Sequence, residues 1–581
     1  MTETTPGREP VQFVEIKQPI CANVFGTSPC TATGAKCYNT RASCKDADNF
    51  ALSETPLSLF FSRGRVAEQR VAGASYIIPS LVGVSTIPAK INLASSNPDA
   101  SGIGNRAVCN LSFIDHKHTD RVVDPYLADR AYDPMTRGSF WTKWMARNKY
   151  RQNVEIVVYD GYAGQALADM VKRTYFLQSI TGPDDAGRVT IQGKDILTKL
   201  EERKAQAPAL SPGKLYADIS DSATSFEVAN AVEADYTATG TLRIGNECMT
   251  YTGRATSANG ITFTGVTRGT DSTTADSHSQ DDAVQWCLRY TLASVDAVCE
   301  DLLLNYAGIP AAWLDTANWA TEVADKLSAY TVTRLFTKPK EVAQIVSDLQ
   351  SQVLFNLWWD ERAPIVKLRA VRAITDEPVV ITAEKNIIAG SFSLTEMPRE
   401  RASQVWIYYA LRNPVEDGDD AKNYDQSVII ANLESETDEL YGEASIRKIY
   451  ADFLGTAALA NTTGSKISNA YVDIPSSCTF RLDAKDRAYW LMDVFQISHH
   501  LDVDADGVRR NRFWTIVSAE EVVPGEVVQY TCIDTTRYGK TYYIMAGGSG
   551  DYDPDNVPFK SAYIGNAAGL LSDGSDSARI T

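Results

Sequence analysis

Short runs of β-branched and aromatic residues dominate the chain from Ser58 to about Gln206. Tyr76–Leu81, Ala107–Ile114, Val154–Val158, Thr174–Ile180 and Val189–Gln192 are each bounded by Gly, Asp, Asn or Pro, the pattern of strands between turns. They predict a β-rich, barrel-like unit. Between them, Thr142–Asn148 reads as a short helix that turns Trp144 inward.

From 207 to 288 the pattern stays at period two but the composition changes. GTLRIGNECMTYTGR and ITFTGVTRGTDST alternate apolar and polar residues between turn residues, and ten acids face four bases between Ser211 and Trp286. This predicts a small, acidic, inserted β module, with Cys248 packed in a strand as a small hydrophobe. Helical spacing begins afterwards. Ser294 is placed to cap a helix carrying Val295, Cys299, Leu302, Leu303 and Tyr306 on one face, ended by Gly308 and Pro310. A second helix is expected from Pro339 to Gln352, with proline in its first turn and Val342, Ile345, Val346 and Leu349 inward. Leu354–Trp359 and Ile365–Val371 then form a hairpin, and Ser403–Tyr409, Asp493–His500, Arg512–Ser518 and Val527–Cys532 read as further strands.

The expected class is therefore α+β, predominantly β. Its expected divisions are an N-terminal segment 1–50, a β-rich unit 51–206, the insertion 207–288, a helix-plus-hairpin unit 289–400, a second β-rich unit 401–546 and a Gly/Ser/Asp-rich tail 547–581. The tail is expected to be mobile or ordered by a partner.

Composition narrows the function. The 581 residues carry 73 acids against 56 bases, a net charge of −17, which speaks against a protein that coats nucleic acid. No run approaches the ~18 uninterrupted apolar residues of a membrane helix. MTETTPGREPVQF lacks a basic region followed by an apolar one, so no export signal is expected and the ten cysteines are expected in a reducing compartment.

Four of those cysteines, Cys21, Cys30, Cys37 and Cys44, crowd into one segment as C-x8-C-x6-C-x6-C. Gly26, Pro29, Gly34 and Asn39 between them mark turns, so the segment is a loop wrapped around something. Disulfides suit exported proteins. Zinc accepts four thiolates but usually through C-x2-4-C pairs, and ferredoxin-type C-x2-C spacing is also missing. Spacing favours metal binding and leaves the metal open.

Other motifs weaken on inspection. Gly182–Gly187 has phosphate-loop spacing without the Lys-Ser/Thr, and sits between two strands as a hairpin turn. Gly102-Ile-Gly104 is followed by a strand where a dinucleotide site needs a helix. Asp502-Val-Asp504-Ala-Asp506-Gly507 opens like a calcium loop, but Phe513 stands where the bidentate Glu belongs. His116 and His118 beside Asp115 and Asp120 are expected on one face of a strand in a structural role. No catalytic set emerges, and the expected reading is not an enzyme.

PICANVFGTSPCTATGAKCYNTRASCKD, then AVCNLSFIDHKHTDRVVDPY and GSFWTKWMARNKY, resemble the tail-hub proteins of long-tailed phages and gene transfer agents. The likeness is specific over about residues 10–210 and looser beyond. It implies a virion structural protein at the tail tip or baseplate, assembled in the bacterial host cytoplasm. It also implies a homotrimer below a ring of distal tail protein and above a central tail-tip or fibre protein, with the tape-measure protein as a further partner. DNA would pass through its channel without specific binding. On this resemblance Cys21, Cys30, Cys37 and Cys44 hold an iron–sulfur cluster of the 4Fe-4S type, with zinc as the alternative. The competing readings are an iron–sulfur redox protein and a receptor- or glycan-binding tail protein acting through 207–288.

Overall fold

The computed structural model describes residues 3–5, 7–64, 71–74, 76–93, 102–372, 378–510 and 512–536, and a backbone pairing of Tyr542–Tyr543 with Arg579–Ile580. The rest of the 547–581 segment lies outside the described residues. The chain is α+β and predominantly β.

Eight strands of the N-terminal part form one sheet. They are β1 (Pro10–Gln18), β2 (Leu57–Ser62), β3 (Ile77–Ile78), β4 (Leu81–Ile87), β5 (Val108–Ile114), β6 (Glu155–Tyr162), β7 (Val171–Thr181) and β8 (Arg188–Lys194). Their order is β3-β2-β1-β6-β7-β8-β5-β4, so the first strand of the chain lies inside the sheet, third from one edge. In β5, Cys109, Leu111 and Phe113 point inward while Ser112 and Ile114 are exposed, the alternation expected of a half-covered strand. β6 is buried on both faces. Ile156 and Val158 join the main core with Trp141 and Trp144, whereas Val157 and Tyr159 pack with Phe13, Leu167 and Met170 on the other side.

Helix α1 (Phe140–Arg147) crosses the main core. It begins two residues before the expected Thr142, because Asp115 reaches over from the end of β5. The Asp115 carboxylate accepts from the Trp141 N–H at 2.9 Å and from the Ser139 hydroxyl, adding to the local capping box of Ser139 and Thr142 at the helix start. Trp144 donates its indole N–H to the side-chain amide oxygen of Gln18 at 2.8 Å, tying the helix to β1.

The second large sheet has six strands, ordered Val380–Thr382, Val494–Ser498, Arg512–Val523, Val527–Asp534, Ser476–Asp483 and Ser393–Glu396. Its core contains Phe480, Phe495, Trp514, Ile516 and Tyr530. Between the two sheets in sequence lies the acidic segment, whose Leu215, Phe226, Val228, Leu242, Met249, Tyr251 and Phe263 form a separate cluster. Cys248 is buried in the strand Glu247–Tyr251, as expected. A third body of packing joins the helices Val295–Asp301, Thr316–Lys326 and Val342–Val353, the hairpin Phe355–Asp360/Ile365–Ala370, and a three-stranded sheet (Gln404–Leu411, Tyr424–Ala431, Ile446–Ala451) under the helix Ala457–Tyr471.

Three further expectations are corrected. Tyr76–Leu81 is not one strand: Pro79 has no N–H to donate, the Ser80 N–H turns back to the Ile78 carbonyl, and two strands flank the turn. The second helix starts at Val342, not Pro339, because Lys340–Glu341 is drawn into an extended pairing with Gln206–Ala207. The helix that follows Ser294, whose side chain makes no capping bond, changes character midway, running on from Asp301 as a wider π turn over Leu302–Tyr306 before Gly308, at φ +64, ends it.

Candidate functional site: the four-cysteine loop

A short ladder closes the neck of the loop. Ala22 N–H donates to Ala51 C=O at 2.8 Å, Ser53 N–H donates to Ile20 C=O at 2.9 Å, and Cys21 bridges to Leu52. Inside that neck the only helical turn is Arg41–Ser43. Between residues 22 and 50 only Ala32 and Thr40 are fully buried, so apolar burial contributes little to this segment. Gly26, Gly34 and Asn39 adopt φ of +71, +82 and +59, which lets the chain double back on itself.

These reversals draw the cysteines together in two pairs of neighbourhoods. Asn39, two residues after Cys37, accepts the Cys21 N–H through its carbonyl at 2.9 Å and donates its side-chain amide to the Cys21 carbonyl at 3.2 Å. Asp46, two residues after Cys44, accepts from the Thr31 N–H at 2.6 Å and hydroxyl at 2.9 Å, beside Cys30. Those bonds, with Asn49, hold the exposed Asp46 carboxyl below its ordinary range. The Cys44 thiol donates to the Asp46 carbonyl at 3.2 Å and its sulfur accepts the Asp46 N–H at 3.4 Å.

All ten cysteines are free, and the four of the loop are half-buried. Burial pushes the Cys37 thiol up; an N–H bond from Asn39 opposes this, and negative charge on Cys44, Cys21 or Cys30 would push it further. Cys37 is therefore within electrostatic reach of the other three. A bound soft metal is what would stabilise four thiolates together. In number and softness the donors fit a thiolate-bound metal or cluster. The sulfurs are nonetheless not closed around a point: among the described residues no group of three or more His, Cys, Asp or Glu side chains is arranged to hold a metal ion.

What holds the loop was not visible from cysteine spacing. Segment 118–147 presents a row of cations and tyrosines to it. The guanidinium carbons of Arg130 and Arg147 lie 4.1 and 4.0 Å from the centre of the Tyr38 ring. The hydroxyls of Tyr38 and Tyr132 are 2.6 Å apart, and Arg137 covers Tyr132 at 3.9 Å. Lys36 lies 4.9 Å from the Tyr126 ring and 3.0 Å from Asp129. Thr40 donates to the Arg147 carbonyl at 2.5 Å.

The motif residues outside the loop behave as scaffold. His116 and His118 are not on a strand, since β5 ends at Ile114; they follow it and pack around Phe140, His116 face to face and His118 edge on. His118 Nδ1 accepts the Asp120 N–H at 3.0 Å. Burial alone would raise the Asp120 carboxyl, but bonds to His118, Lys143 and Arg147 pull it well below the usual range. Gly182 turns β7 into β8 at φ +97, and a side chain there would meet the Arg188 carbonyl at 2.2 Å. Gly102 donates its N–H to the Ser347 hydroxyl at 2.7 Å, a packing contact with the helix Val342–Val353. Asp502 is paired with Arg512 at 2.6 Å, and Asp504–Val508 closes a turn, so the acidic run is a loop between strands.

No family model matches the sequence, and no curated protein matches it. Among solved structures the chain is similar to a 43 kDa tail protein of prophage MuSo2 from Shewanella oneidensis, at 10% identity and a TM-score of 0.35, over 78% of this chain and 98% of that one. A tail protein from Neisseria meningitidis MC58 gives 8% identity and 0.36, over 78% and 92%. A chain from the virion of a native gene transfer agent particle gives 12% identity and 0.31, over 58% and 92%. At these scores the likenesses carry no argument. Among the described residues no helix is long and apolar enough to cross a membrane.

Proposed function

We propose that the protein is the tail-tip or baseplate hub of a long-tailed, siphovirus-like particle. The observation that carries this reading is the coupling of two features. The segments that resemble tail hubs build one continuous unit, in which β5 is a strand of the eight-stranded sheet, α1 packs on that sheet's core and the cysteine loop is held by segment 118–147, and the same chain carries a second large sheet. Two large β units per chain are what three copies need to present six to a sixfold tube. A closed ring of three repeats one interface by symmetry and leaves no free edge between subunits.

In this reading the hub lies below the distal tail protein ring, holds the central tail-tip or fibre protein, contacts the tape-measure protein, and opens for DNA ejection. Its role is mechanical and not enzymatic. The excess of acid over base suits a channel that repels phosphate and lets the genome pass. Cys21, Cys30, Cys37 and Cys44 would hold an iron–sulfur cluster, or zinc in its place. Metal–thiolate bonds would supply folding energy to a loop with little core of its own.

The test is immunogold labelling of intact particles with an antibody to this chain. The reading predicts gold confined to the tail tip. Gold spread along the tube, or on no particle, contradicts it.

A further inference from the structure

We infer that Arg130 is the positioning residue of the four-cysteine site: it fixes the main chain at Cys37 before any metal arrives. The inference rests on the reading of that loop as a metal site, and it concerns how this chain prepares it.

Arg130 is almost enclosed, and its planar fork has four hydrogen bonds. Nη1 donates to the Lys36 carbonyl at 2.6 Å and Nη2 to the Cys37 carbonyl at 2.7 Å. Nε and Nη2 donate to the Asp124 carboxylate at 2.7 and 2.9 Å, and the plane lies over Tyr38. Three consecutive residues, Lys36, Cys37 and Tyr38, are thus held by one side chain. Asp124 holds that side chain in turn, itself fixed by accepting the Tyr126 N–H at 3.0 Å.

Arg147, the other cation on Tyr38, plays a different part. It bonds to Asp120 at 2.6 Å and reaches no cysteine residue through its side chain. Cys21 is tied to Asn39, two residues past Cys37, so fixing Cys37 also locates Cys21. The neck ladder fixes Cys21 from its other side. Arg130 is one of several points where a loop with little core of its own meets the sheet-and-helix unit, and it is bonded to the Cys37 main chain itself. Lysine keeps the charge but loses the fork and the stacking plane, so Arg130→Lys removes the geometry and leaves the electrostatics nearly unchanged.

The experiment compares wild type, Arg130→Lys, Arg130→Ala and Tyr38→Phe as full-length chains purified without air. Each metal-free protein is pulse-labelled with a maleimide, and labelling is mapped cysteine by cysteine. In Arg130→Lys the rate at Cys37 should rise about tenfold, ahead of Cys30 and Cys44, while buried Cys109 stays unlabelled. Tyr38→Phe keeps the ring under Arg130 and should leave Cys37 within about twofold of wild type. The same proteins are then given ferrous iron and sulfide. Visible absorbance per chain should be at least halved in Arg130→Lys relative to wild type.

Unchanged Cys37 labelling in Arg130→Lys overturns the inference, as does equal acceleration at all four cysteines, which would mark a general loosening of the loop. If Arg130→Ala also exposes Cys109, it has unfolded, and Arg130→Lys decides. If wild type takes up no iron, the iron–sulfur reading fails by itself, and the labelling still judges the role of Arg130.

Discussion

Arg173 and Asp160 meet across adjacent strands β7 and β6 at 2.7 Å, with side chains only 3% and 0% exposed. The pair sits at a junction. Thr174 N–H bonds to the Glu361 carbonyl at 2.8 Å, and Arg362 and Arg487 both approach Glu521 on the six-stranded sheet. Tyr162 at the end of β6 donates to the Gly525 carbonyl at 2.7 Å. The N-terminal sheet, the hairpin and the C-terminal sheet are therefore joined through buried charge as well as apolar contact. Removing one partner of such a pair strands the other in a medium that cannot solvate it. Asp160→Asn should cost about 3–5 kcal/mol of stability, read by chemical denaturation. A loss under about 1 kcal/mol would show that the pair is solvated in solution.

Glu361 sets a pH dependence at the same junction. Burial raises its carboxyl from 4.5 to about 7, against the pull of Arg173 and with the push of Asp360 and Asp195. The folded chain then holds a proton that the unfolded chain has released between about pH 4.5 and 7. Its contribution is fully present below the unfolded value and is lost as pH rises through the folded one. Denaturation midpoints should therefore fall between pH 5 and 8, and Glu361→Gln should flatten that fall. An unchanged slope in Glu361→Gln would assign the effect elsewhere, with Glu521, also raised by burial, the next group to replace.

In the acidic module the equivalent keystone is fully satisfied. Glu247 accepts from Arg268 at 2.8 and 2.6 Å, from the N–H groups of Gly269 and Asp276, and lies 2.8 Å from His278 Nε2. Replacing it by Ala should leave the Arg268 guanidinium unpaired and cost about 3 kcal/mol locally. Limited proteolysis should then cut within 207–288 while the eight-stranded sheet survives. Uniform degradation of the whole chain would show that the module does not open separately.

Gly182→Ala tests the hairpin reading of the phosphate-loop look-alike. A side chain at φ +97 against the Arg188 carbonyl should destabilise by more than about 1 kcal/mol. A variant as stable as wild type would mean that the turn relaxes freely.

Residues close in sequence were legible and distant ones were not. The alternation of β5 and β8, the turn at Gly182, and the inward faces of the helices Val295–Asp301 and Val342–Val353 follow from periodicity and turn chemistry alone. The start of α1 was displaced by Asp115, and the start of the later helix by pairing with Gln206–Ala207, contacts that propensity cannot anticipate. The same holds at the site. Spacing singled out Cys21, Cys30, Cys37 and Cys44, yet Arg130 lies 93 residues from Cys37 in an otherwise ordinary stretch. Its role exists only once β5, α1 and the loop are packed together. The excess of tyrosine and arginine around 126–151 was the one available sign, and aromatic–cation pairs have no fixed spacing that would have made it specific.

Native mass spectrometry of the chain purified without air tests assembly and metal together. The account predicts a species of about three times the 63.7 kDa chain, each copy carrying excess mass that acid treatment releases as metal. A monomer at the bare chain mass, with four thiols free to alkylate, would contradict it.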